Sequence, residues 1–221
     1  MRFLILLIMH VAITVSAQDS LFLRFVPRQA VKISPFHLVS FYPTFQLAYE
    51  MRVANRFTVQ VEGGVVLDYP LVDDENFQDK RGAKAKLELH YYVLPSARAK
   101  LIYYLAFELY LNAVNFDRSQ VQEECYDLEC NHRYTRKFKY KVTYREPGFG
   151  IKAGFVKYFS RRVFIDINSG WGVRFIDYAD PFNNGAEVSF GWLPPIPNEA
   201  DRVVLSPIVG IRFGYIFPRL R

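Results

Sequence analysis

The chain has 221 residues, a formal net charge of +6, 51% hydrophobic residues and 17% aromatics. That length suits one β domain. The basic surplus is too thin for the dense Lys/Arg stripe of a nucleic-acid binder, and no RNA or DNA motif accompanies it, so no nucleic-acid partner is expected.

The first segment is "MRFLILLIMHVAITVSAQ". One basic residue, Arg2, precedes an apolar run from Phe3 to Val15, and Val15-Ser16-Ala17 places small residues where a signal peptidase cuts. The run is too short to span a bilayer of about 30 Å as a helix. A signal peptide is expected over 1–17, followed by a lead-in over 18–29 and a tail over 218–221. No Cys follows the apolar run, which excludes the bacterial lipoprotein route. No later segment reaches about 18 unbroken apolar residues, so no transmembrane helix is expected.

Eight strands are predicted between residues 30 and 217, over 30–39, 44–53, 57–69, 82–94, 100–116, 134–158, 162–178 and 203–217. The signal is period-2 alternation. In "KAKLELHYYV", Lys84, Lys86, Glu88, His90 and Tyr92 share one face, and Ala85, Leu87, Leu89, Tyr91 and Val93 the other. The run "LIYYLAFELYL" has helix-like hydrophobicity but strand phase, with Leu101, Tyr103, Leu105, Phe107, Leu109 and Leu111 opposing Glu108 and Asn112. In the sixth strand the phase changes: Phe138, Tyr140, Val142 and Tyr144 are apolar on even numbers, Phe149, Ile151, Ala153 and Phe155 on odd ones. A β-bulge at "REPG" would restore the facing, since Pro147 is tolerated there. Connections alternate between short turns (54–56, 95–99, 160–161) and long polar loops (70–81, 117–133, 179–202). The exception is 40–43, a short member of the loop set.

Alternation alone does not say which face is inside. In a soluble barrel the apolar face makes the core; in a membrane barrel it meets lipid. Three features favour lipid outside. Strands of 10 to beyond 15 residues exceed the usual length of about 5–6 and match the 9–11 of a tilted membrane strand. An even strand count with short turns at one end and long loops at the other suits a membrane barrel. Aromatic rings fall at two interface levels, with Tyr69, Phe138, Tyr140 and Phe175 at the outer one and Phe57, Tyr91, Tyr103 and Tyr215 at the inner. The fold class expected is all-β, an eight-stranded antiparallel up-and-down transmembrane barrel with a polar lumen filled by side chains.

The terminal stretch "SPIVGIRFGYIF" resembles the last strand of bacterial outer-membrane barrels, with "PRLR" following the final aromatic, Phe217. With "VKISPFHLVSFYPTFQLAYEMRVANRFTVQVEGG" near the start, the chain resembles the small eight-stranded outer-membrane barrels of Bacteroidota. That resemblance implies the outer membrane of a Gram-negative bacterium, insertion by the barrel assembly machinery, and outer-membrane lipid and lipopolysaccharide as surroundings. It implies no activity and no cofactor.

With lipid outside, Lys32, Glu50, Arg52, Glu62, Lys84, Lys86, Glu88, His90, Glu108, Lys152, Asp166, Arg174 and Arg212 point inward. Unpaired buried charge is costly, so a mixed-sign network with trapped water is expected, and no wide pore. Gly64, Gly150, Gly170, Gly172, Gly210 and Gly214 would make room beside longer side chains. His90 with Glu88 and Glu108 reads as a hydrogen-bonded lumen histidine, with a proton relay as the sharper alternative. Cys125 and Cys130 in "EECYDLEC" read as a loop disulfide. A metal site using Glu123, Glu124, Asp127, Glu129 and His132 matches no zinc spacing, and no metal is expected. Arg133, Arg136, Lys137, Lys139, Lys141 and Arg145 could meet lipopolysaccharide phosphates or form a solvated strand extension. Trp192 in "GWLPPIPNEAD" is a candidate contact for an envelope protein partner. A non-enzymatic structural or interaction role through the outer loops is expected. A lipocalin-like barrel binding an apolar ligand is the alternative, requiring Leu87, Leu89 and Phe107 inside and Glu88 outside. A lipid-modifying enzyme around His37, Ser34 and Ser40 is a third, although those serines have the opposite parity to His37.

Overall fold

A computed structural model describes residues 26–35, 43–68, 78–96, 100–125, 133–179 and 202–217. The signal-peptide and tail expectations, His37, Ser40, Tyr69, Cys130, His132 and Trp192 lie outside them. Eight strands run in chain order: β1 (Gln29–Ile33), β2 (Thr44–Arg52), β3 (Phe57–Val66), β4 (Gln78–Ser96), β5 (Leu101–Cys125), β6 (Arg133–Tyr158), β7 (Val163–Ala179) and β8 (Arg202–Ile216). Each pairs antiparallel with its sequence neighbours, and β8 returns to pair with β1, so the sheet closes on itself. No helix among the described residues is long and apolar enough to cross a membrane, which leaves strands untouched by that criterion.

Two expectations about the strands need correction. The stretch 117–133 was expected to be loop, yet β5 runs to Cys125 and pairs with β6 without interruption from Leu101↔Lys157 to Cys125↔Arg133. The ladder therefore outlasts the apolar wall. The bulge at "REPG" is absent: β6 keeps one register against β5 throughout, and the same offset against β7 on either side of Glu146 and Pro147. The bulges lie in β4 instead, between Gln78 and Arg81 and between Tyr92 and Leu94. Asp79, at the first, has φ 51°, a left-handed conformation that Asp adopts more readily than most residues.

The phase change in β6 has another cause. Even-numbered residues face the interior along the barrel wall, on β4 between its two bulges, whatever their polarity. Val142 and Tyr144 therefore point inward, joining Val66, Val114, Phe116, Ile176 and Val204 in an apolar cluster at the long-loop end, with Tyr140 packed against it. Phe138 and Tyr140 thus leave the outward aromatic girdle, while Phe175 stays exposed. A second apolar cluster seals the short-turn end, built from Val26, Ala30, Tyr92, Ile102, Tyr104, Val156 and Phe164 among others. Between the two, the interior is polar.

Glycines set the fit. The large inward side chains sit directly across a ladder rung from glycine: Tyr104 opposite Gly154, Tyr110 opposite Gly148, Phe164 opposite Gly214, Asn168 opposite Gly210 and Gln46 opposite Gly64. A Cβ added at each glycine would collide with that partner. A narrow barrel is filled this way, large against small. Gly214→Val should therefore cost about 1–3 kcal/mol in urea unfolding of the refolded barrel. In a Phe164→Ala background the same change should cost less, with a coupling of at least about 0.5 kcal/mol. Strict additivity in this cycle would contradict the packing.

Candidate functional site

The exterior inverts the usual rule. Leu87 is 46% exposed and Phe107 44%, whereas Glu88 between them in the wall is fully buried. Phe45, Leu47, Val61, Leu109, Ile151, Trp171 and Val209 are likewise exposed. The lipocalin-like reading required the opposite facing and is overturned.

The buried mid-section is an ionic network drawn from all eight strands. Glu88 on β4 is its hub. Arg212 on β8 clasps the Glu88 carboxylate with two guanidinium nitrogens, one at 3.1 Å. Lys152 on β6 reaches Glu88 at 2.8 Å and Glu108 on β5 at 2.6 Å. Arg212 also meets Glu62 on β3 at 3.0 Å, and Lys86 meets the same carboxylate at 3.0 Å. On the short-turn side, Lys32 of β1 joins Glu50 at 2.9 Å and Asp166 at 2.6 Å. Tyr92 and Thr58 donate hydroxyl hydrogens to Glu50, and Tyr104 donates to Asp166 at 2.5 Å. Glu50, Glu62, Glu88 and Asp166 thus each have both a cation and a neutral donor or a second cation, the arrangement a buried charge needs.

His90 lies within this network, with Nε2 at 2.8 Å from Glu88 and Nδ1 at 3.4 Å from Glu50. Its ring stacks on Tyr104 at a centroid distance of 4.6 Å, and it is fully buried. The side chain links two carboxylates and stands away from solvent. Glu108 pairs with Lys152 rather than with His90.

Toward the long-loop end, Arg174 meets Glu146 at 2.9 Å, and Asn112 donates to the same carboxylate at 3.1 Å. Glu146 was not anticipated, because the expected bulge at "REPG" removed its parity from consideration. Lys84 lies in the field of Lys86, Arg174, Glu146 and Glu62. Across the polar section Lys32, Lys84, Lys86, Lys152, Arg174 and Arg212 balance Glu50, Glu62, Glu88, Glu108, Glu146 and Asp166. Arg52 is on the same parity but sits half-buried at the short-turn end of β2.

The remaining candidates are dispersed. Lys137, Lys139, Lys141 and Arg145 are exposed on the outward parity of β6. Lys139 bridges Asp117 at 3.3 Å and Asp79 at 3.6 Å. Arg136 has the opposite parity and lies 4.7 Å over the Phe138 ring, so it does not share their face. For Arg133 and Cys125 only the backbone is described, Cys125 ending β5. Ser34 is buried on the inward side. No group of three or more His, Cys, Asp or Glu among the described residues is arranged to hold a metal ion.

Removing one partner from a buried ion pair leaves the others uncompensated, at about 3–5 kcal/mol. Glu88→Leu should show a loss of that order in urea unfolding, because Arg212 and Lys152 lose their shared carboxylate. Asp68→Leu, exposed at the end of β3, should stay within about 0.5 kcal/mol. Equal losses would contradict the hub role of Glu88. Compared with family models, curated proteins and solved structures, the chain matches none.

Proposed function

We propose that the chain is an eight-stranded barrel of the outer membrane of a Gram-negative bacterium, exported by its N-terminal signal peptide. It would act without catalysis, as a structural or interaction component presenting its long-loop end to the outside. The inversion of exposure carries this reading: apolar side chains cover the wall while the ionic ones lie within. In water such a wall would be an apolar patch far larger than monomeric proteins expose. In hydrocarbon it costs nothing, and the enclosed charges satisfy one another.

The dimensions support it. The outward face of β5 is apolar from Leu101 to Ala113 and turns polar from Asn115. At about 3.3 Å per residue and a barrel tilt near 40°, that stretch rises about 30 Å, close to the hydrocarbon thickness of a bilayer. Beyond it, β5 and β6 continue as a polar two-stranded ribbon to Cys125 and Arg133. On β6 the outward column changes from Phe149 and Ile151 to Arg145, Lys141, Lys139 and Lys137 within one strand. In a bilayer of that thickness these cations would fall at headgroup height, where the phosphates of lipopolysaccharide would lie. The apolar clusters at both ends and the paired charges between them suit a plugged barrel without a wide pore.

Expressed in a Gram-negative host, the protein should fractionate with the outer membrane and resist extraction by carbonate. Its unheated band should migrate differently from the boiled one on a denaturing gel, as detergent-stable barrels do. Recovery in the soluble fraction with a single heat-independent band would contradict the membrane reading.

A further inference from the structure

Between the ionic mid-section and the apolar cluster at the long-loop end lies a cavity of about 210 Å³. On β5 it spans Glu108, Tyr110 and Asn112, just below Val114 of the cluster; on β7 it runs from Asn168 to Arg174, just below Ile176. Gly150 and Gly172 face each other across the β6–β7 ladder, and the side chain of Ile208, itself a lining residue, packs over both.

The wall is polar and incompletely satisfied. Asn112 Oδ1, Asn168 Nδ2, Arg174 Nε and Ser34 Oγ are buried and have no hydrogen-bond partner among the described residues. Asn112, Asn168 and Ser34 are all more than nine-tenths buried. A native protein leaves few buried polar atoms in this condition, and several around one cavity point to a hydrogen-bonding occupant. The charged lining is Lys84, Lys86, Lys152, Arg174 and Arg212 against Glu108 and Glu146. Lys86, Lys152, Arg174 and Arg212 are also engaged by Glu62, Glu88, Glu108 and Glu146, but five cations against two carboxylates face the space itself, which favours an occupant that carries negative charge.

Pro207 through Arg212 of β8 line the cavity consecutively, inward and outward residues alike. Among the described residues the last β1–β8 rung is Ile33↔Phe213, one residue further along. An oxyanion could therefore be a free ion, or the head of a single-chain lipid whose tail stays outside the wall.

We propose that this cavity is a binding site for a phosphate-type oxyanion, either free inorganic phosphate or a lipid phosphomonoester. The anion site stands independently of the membrane reading; only the lipid source rests on it. The full chain, refolded in octyl glucoside micelles at fixed ionic strength, would be titrated calorimetrically with inorganic phosphate and, separately, with lysophosphatidic acid in the same micelles. Saturable one-to-one binding of phosphate identifies the free ion; binding of the lysolipid alone identifies the headgroup. Either affinity should fall at least tenfold in Lys84→Gln and in the near-isosteric Asn112→Asp, which adds a carboxylate to the wall. It should be unchanged in Lys157→Gln at the short-turn end. Variants are compared only where heat-modifiable mobility shows a folded barrel, and the wild-type titrations stand by themselves. Absence of saturable binding of both probes, meaning a cavity holding water only, overturns the proposal. So does an equal loss in Lys157→Gln, meaning diffuse attraction to a basic chain.

Discussion

The clasp of Arg212 around Glu88, with Lys152 on the same carboxylate, is the interaction on which the molecule depends. It joins β8, β4 and β6 across the interior, three strands that are not ladder neighbours. Charges taken from water cost several kcal/mol each unless their partners arrive in good geometry. The network therefore constrains register: sliding one strand by a single residue would turn its ionic face to the exterior and its apolar face to the charges. Lys32 does the same at the closure, tying β1 to Glu50 on β2 and to Asp166 on β7. Among the described residues the β1–β8 ladder has four rungs where β7–β8 has fourteen, and β1 is held by its buried lysine as well as by backbone.

From that polar centre the other features follow. Charges enclosed in a narrow tube leave little room, so the bulky inward rings of Tyr104, Tyr110 and Phe164 each have a glycine across the rung. Water reaching the ion pairs from either end would weaken them, and an apolar cluster closes each end. With the mid-section occupied by charge, the hydrophobic residues at that level have only the outer surface left.

Much of this was legible in the order of residues. In "KAKLELHYYV" the alternation separates Glu88 and His90 from Leu87 and Leu89, and strand existence, strand order and the turns at 54–56 and 160–161 follow from the same pattern. Alternation does not reveal which face is inside; burial of Glu88 and exposure of Leu87 supply that. The reading failed where polarity and facing part company. Val142 and Tyr144 are apolar and inward because they close one end of the tube, and a rule equating apolar with outward turned them into a bulge at "REPG". That same rule hid Glu146. The polar ribbon to Cys125 was taken for loop because β-propensity is weak in "DRSQVQEEC", and long-range pairing with β6 overrides it. The cavity is lined by residues of β4, β5, β6, β7 and β8 together, a matter of register that no single strand encodes.

The central claim is that the outward face of β5 lies in hydrocarbon up to about Ala113 and in water beyond. Nitroxide labels placed singly at Phe107, Leu109, Leu111, Ser119 and Val121, all outward positions, test it in protein refolded into phospholipid bilayers. Collisional relaxation by oxygen should dominate at Phe107, Leu109 and Leu111, and relaxation by a water-soluble nickel chelate at Ser119 and Val121. A nickel response at Phe107 and Leu109 as strong as that at Val121 would contradict the account.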